Sequence, residues 1–83
     1  MRAEQLLPDH LNQDEFNGVT VRKGTVGAFL ENARIWVTLS APEANKMIAE
    51  HDIIDALPAL RAIGIFDVFE IRDAALRKFV ESN

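Results

Sequence analysis

The sequence predicts an α+β fold, mainly α, in which a short N-terminal β-hairpin is followed by three to four helices. Three observations carry this expectation. Asn17-Gly18 stands between two short runs, Asp14-Glu15-Phe16 and Val19-Thr20-Val21-Arg22. From Thr25 onward, apolar residues recur at three- and four-residue spacing rather than in alternation. Pro42, Pro58 and Gly64 then punctuate that helical pattern.

The hairpin follows from its turn. A two-residue connection requires positive φ at both central positions, and asparagine followed by glycine meets that requirement at least steric cost. Val19 and Val21 project to one face, Thr20 and Arg22 to the other. A lone hairpin is marginal in water, so its valine face calls for a cover. The next segment supplies one: a helix with Thr25 as N-cap, on which Val26, Phe29, Leu30, Ala33 and Val37 form a stripe about 100° wide. Gly27 weakens this helix by up to about 1 kcal/mol relative to alanine, which points to close packing there. Ala28, Asn32, Ile35 and Leu39 form a second stripe nearly opposite the first. Their four–three–four spacing is that of a coiled-coil seam with one polar residue, and Trp36 sits between the two stripes. A helix apolar on two faces needs cover on both, from a central position within one chain or from a subunit interface.

Ser40-Ala41-Pro42-Glu43 reads as a capping box with proline in the first turn. Ala44, Met47, Ile48 and His51 continue the pattern, followed by Ile53, Ile54, Leu57, Leu60 and Ile63, with Gly64 as the C-terminal stop. Pro58 either kinks one helix or starts another. Ile65, Phe66, Val68 and Phe69 are expected to plug the core. A last helix opens near Asp73 and buries Leu76, Phe79 and Val80, while Arg77 and Lys78 complement its dipole. Residues 1–13 read as a polar arm in which Leu6, Leu7 and Leu11 can dock, whereas Pro8, Asn12 and Gln13 break any long periodicity. Residues 14–83 read as one globular domain.

Composition narrows the function classes. A chain of 83 residues that is 48% apolar makes one domain. At this size folding hides only about 60% of the unfolded chain's surface, so extra stability commonly comes from a disulfide, a metal or a partner subunit. The absence of cysteine excludes the disulfide, together with thiol nucleophiles and cysteine-ligated metals. No run approaches the roughly 18 apolar residues of a membrane span, and the N-terminus lacks the apolar run of a signal peptide, so a cytoplasmic location is expected. A net charge of −4 with scattered basic residues argues against nucleic acid.

Few residues suggest chemistry. Asp9-His10 and His51-Asp52 pair imidazole with carboxylate, a combination suited to divalent metals, and His-Asp is the dipeptide for which a class of metal-dependent phosphohydrolases is named. Those enzymes draw further ligands from a longer scaffold. The favoured reading is a helix boundary, with His51 ending one helix, Asp52 capping the next and Asp55 in its first turn, and no metal or cofactor is expected. Lys23, Gly24, Thr25 and Gly27 form a small-residue turn at a helix start, where free N–H groups can hold an anion. No Walker lysine follows, and the glycines are explained by a tight strand-to-helix joint. Ser40 and Ser82 lie in no nucleophile elbow.

The run from Val19 to Ala28 with its Lys-Gly-Thr-Val-Gly-Ala core, continuing to Leu30 and Asn32, and the later run from Ala56 to Phe69 with its Leu-Pro-x-Leu and Phe-x-x-Phe elements, resemble two blocks of a family of short bacterial proteins of unknown function. The blocks span roughly half the chain. The resemblance implies a bacterial cytoplasmic protein with hairpin–helix–helix order and implies no activity. Thr38 to Glu50 and the ending after Phe69 do not follow the pattern. Together these readings lead to a non-enzymatic interaction module that forms a homodimer or serves another protein as accessory subunit, with Ala28, Asn32, Ile35, Trp36 and Leu39 at the contact. The alternative is a small-molecule or anion binder, or minor enzyme, working at Lys23–Gly27 with His51 as a further contributor.

Overall fold

The Asn17-Gly18 turn folds as its residue types require. Asn17 has φ 49° and Gly18 φ 80°, and Phe16 faces Val19 across the turn. Strand β1 (Gln13–Phe16) therefore pairs antiparallel with β2 (Val19–Arg22) in a two-stranded sheet. The structure, a computed structural model, describes residues 10–83 together with Arg2 and Gln5. Leu6, Leu7, Pro8 and Asp9 of the expected arm lie outside the described residues. The Lys23 N–H donates to the Asn12 carbonyl, which carries the ladder one step past the strands. Val21 is buried, and β2 packs on the long helix described below.

Helix α1 (Thr25–Val37) starts one residue earlier than expected, at the residue read as its cap. Gly24 is the N-cap, in the left-handed region at φ 89°, and Thr25 is already helical. The Thr25 hydroxyl donates back to the Arg22 carbonyl at 2.6 Å, so it secures the joint to β2 instead of capping the helix. The helix ends at Val37, because Thr38 is extended, and Leu39 falls outside it. Phe29 is buried, with Val26, Ala33 and Trp36 packed beside it. Gly27 is not in a close approach: a Cβ there would meet no heavy atom within 4 Å.

Helix α2 (Glu43–Ala62) is the central element. Its Ala49, Ile53, Leu57 and Leu60 are buried at helical spacing, and it packs against β2, α1 and both C-terminal helices. Fully burying side chains of the size of Ile53, Leu57 and Leu60 contributes about 1.5–3 kcal/mol each. The expected capping box does not form. Pro42, at φ −57° and ψ 142°, occupies the N-cap without any side-chain cap, and Ser40 lies two residues upstream, in the turn where the Ala41 N–H donates to Thr38. The helix runs unbroken through Pro58, which has no N–H to offer the Ile54 carbonyl. Consequently His51, Asp52 and Asp55 lie within a helix, not at the boundary expected for them.

Gly64, at φ 78°, stops α2, and its N–H donates to the Arg61 carbonyl. A single turn, α3 (Ile65–Val68), and then α4 (Ala74–Glu81) complete the fold. The Asp73 carboxylate caps α4 by accepting the Leu76 N–H at 2.8 Å. Leu76 and Val80 are buried against Phe29, Ile53, Leu57 and Leu60, flanked by Ile65, Phe66, Ile71 and Phe79. Val68 and Phe69 remain exposed, so only half of the expected apolar plug enters the core. Lys78 sits in the last turn of α4, as expected, whereas the Arg77 guanidinium turns back to the Ile71 carbonyl at 2.9 Å. Arg61 takes over the dipole-complementing position by donating to the Val80 carbonyl at 3.2 Å. The fold is α+β, mainly α, a hairpin followed by four helices among the described residues.

Candidate functional site

Packing α1 against α2 through Phe29 leaves one flank of α1 only partly covered. Val26, Leu30, Ala33 and Val37 share that flank, being four, three and four residues apart. Across from it, the left-handed turn at Gly64 and the single turn of α3 carry the chain outward, and Phe69 leaves α3 in an extended conformation. The result is a groove of about 440 Å³ with Val26, Leu30 and Ala33 on one wall and Phe66, Phe69 and Ile71 on the other. Leu30 is 55% exposed and Phe69 68%. Glu70 and Arg72 also line it. Glu70 lies 3.4 Å from Arg77, and Arg72 has no polar partner among the described residues.

The contact residues expected from sequence are dispersed. Trp36 is engaged within the chain: it stacks on Phe79 at 5.5 Å, its Nε1–H donates to Glu50 at 2.9 Å, and the Lys46 ammonium lies 4.9 Å from its ring centroid. Ala28 is exposed, Asn32 is half-buried, and both line a hollow against β2 and α2. Ile35, also half-buried, borders a different hollow with Thr38, Ala41 and Asn45. Leu39 stands in the turn after α1, 98% exposed. No continuous seam joins these five.

The turn from Lys23 to Gly27 is open at both glycines, where a Cβ would meet nothing within 4 Å, and Gly24 answers to its positive φ alone. The hollow beside Thr25 and Ala28 also carries Asp52 and Asp55, whose charge opposes an anion there. His51 Nδ1 lies 3.4 Å from Asp55 and 3.7 Å from Asp52, all three well exposed on one helix. Their three ligand atoms lie within 4.8 Å of one another. An ion held there would depend on water for most of its shell, and an imidazole–carboxylate contact between solvated neighbours on one helix face accounts for the arrangement. His10 is exposed before β1.

No helix among the described residues is long and apolar enough to cross a membrane. Comparison of the chain with protein-family models, with curated proteins and with solved structures finds no match.

Sequence reasoning assigned Leu30 and Phe69 to the core. Leu30 belongs to a stripe wider than the surface α2 offers, and Phe69 follows a helix only four residues long. Arg72 gave no signal in the sequence.

Proposed function

We propose that this protein is a non-enzymatic interaction module that self-associates, a second copy of the chain covering the groove between α1 and Phe69. The observation that supports this reading is the gathering of exposed apolar side chains, Leu30 and Phe69, around a groove walled by hydrocarbon. Contiguous apolar patches of this kind mark interaction surfaces, whereas scattered single residues such as Leu39 do not. A second copy suits the charges as well. Glu70 and Arg72 stand on the same groove, so that a two-fold contact offers each copy both a carboxylate and a guanidinium from the other. The likeness of the Lys23–Ala28 and Leu57–Phe69 blocks to short bacterial proteins supports a bacterial cytoplasmic setting.

Light scattering on the eluting protein tests the proposal. A dimer mass is expected at high micromolar concentration, and Leu30→Glu should yield a monomer with an unchanged helical circular dichroism spectrum. A specific contact should remove about 1,000 Å² or more from solvent in total. A monomer mass for the unaltered chain at all concentrations removes the reading.

A further inference from the structure

The second hollow, between β2, α1 and α2, is separate from the Leu30 groove and has a different chemistry. Its volume is about 360 Å³, within the range of about 300–1,000 Å³ typical of small-molecule sites. Room is made by small side chains: Ala28 on α1, and Ala56 and Ala59 on α2. Arg22 stands on the hairpin wall and Asp52 and Asp55 on the α2 wall, yet neither carboxylate comes within ion-pairing distance of the guanidinium. Arg22 has no side-chain partner among the described residues, and Asp52 and Asp55 touch only His51. The half-buried Asn32 amide, on the same hollow, has no hydrogen-bond partner among the described residues either.

Opposite charges that border one cavity without meeting leave a gap fitted to a molecule carrying both signs. A simple cation would leave Arg22 and Asn32 unused, and a simple anion would face two carboxylates. Two carboxylates against one guanidinium favour a ligand with one net positive charge. We propose that this hollow binds a small dibasic amino acid of the lysine type, its carboxylate on Arg22 and its ammonium groups on Asp52 and Asp55. The ligand's methylene chain lies over Phe29 and the alanines, and Asn32 bonds its polar end. Charge-assisted hydrogen bonds give the selectivity. Because the charged groups are largely in water, affinity is in the millimolar range.

The test is a heteronuclear NMR titration of the full chain with L-lysine, cadaverine and acetate at matched ionic strength. Saturable shifts are expected at Arg22, Asn32, Asp52 and Asp55 with lysine, an affinity about tenfold weaker with cadaverine, and none with acetate. Arg22→Gln should bring lysine down to the affinity of cadaverine and leave cadaverine unchanged. Asp55→Asn should weaken both. Ala28→Leu, at an exposed helical position, should fill the hollow and abolish the lysine shifts while the spectrum remains folded. Shifts with lysine that never saturate, or lysine binding indifferent to Arg22→Gln or Ala28→Leu, would overturn the assignment.

Discussion

Gly27 sits three residues into α1 with ordinary helical φ and open space where a Cβ would stand. Nothing in the packing demands glycine there, so its cost in backbone entropy is uncompensated. Gly27→Ala is expected to raise stability by up to about 1 kcal/mol, read from a chemical denaturation midpoint. Gly24 and Gly64 differ in kind, because their backbones lie in the left-handed region that a side chain disfavours. Trp36 shows a third situation, a large aromatic held by a stack and by one hydrogen bond to Glu50. Trp36→Phe keeps most of the stack and loses the bond, and should cost about 1 kcal/mol in the same measurement. At this scale the sequence was partly legible. It placed Trp36 between the two stripes of α1, and the side chain divides its environment, with one ring face on Phe79 and its nitrogen on an acid.

Helix ends separate two signals that look equally good in sequence. Ser40-Ala41-Pro42-Glu43 has the composition of a capping box, and Asp73 is a bare aspartate before an apolar run. Only Asp73 bonds a first-turn N–H. Proline explains the failure of the box, since Pro42 itself takes the extended N-cap geometry and leaves Ser40 too far upstream to reach the free N–H groups. Asp73→Ala should therefore cost about 1 kcal/mol, whereas Ser40→Ala should stay within about 0.5 kcal/mol of zero. Thermal melts of the two variants side by side check the contrast. Pro58 left two readings open, one helix or two, and the structure has one, with Ile53, Leu57 and Leu60 buried along a single unbroken face across it.

For the molecule as a whole, the order of elements could be read from sequence because hairpin turns and helix periodicity are local properties. The centre could not. A stripe on a helix says which face is buried and leaves open what covers it, so α1, with its two stripes, looked central. That role belongs to α2, which carries most of the buried side chains and packs against the hairpin, α1 and both C-terminal helices. The same limit hid the candidate site, since Leu30 reads as core until the width of α2 is known. Leu60→Ala, at the junction of α2 with α4, should cost about 2–5 kcal/mol and lower the cooperativity of melting throughout the chain.

One hydrogen bond ties the hairpin to the end of the long helix: the Asn17 side-chain amide donates to the Ala62 carbonyl at 2.6 Å, across 45 residues. Its acceptor is the far end of α2, which must have wound before the bond has a target. The α1–α2 pair, joined by a short loop, is expected to condense first, with the sheet latching on after it. Asn17→Asp should then hasten unfolding in stopped-flow experiments with little change in the refolding rate, the signature of a residue whose interactions form late.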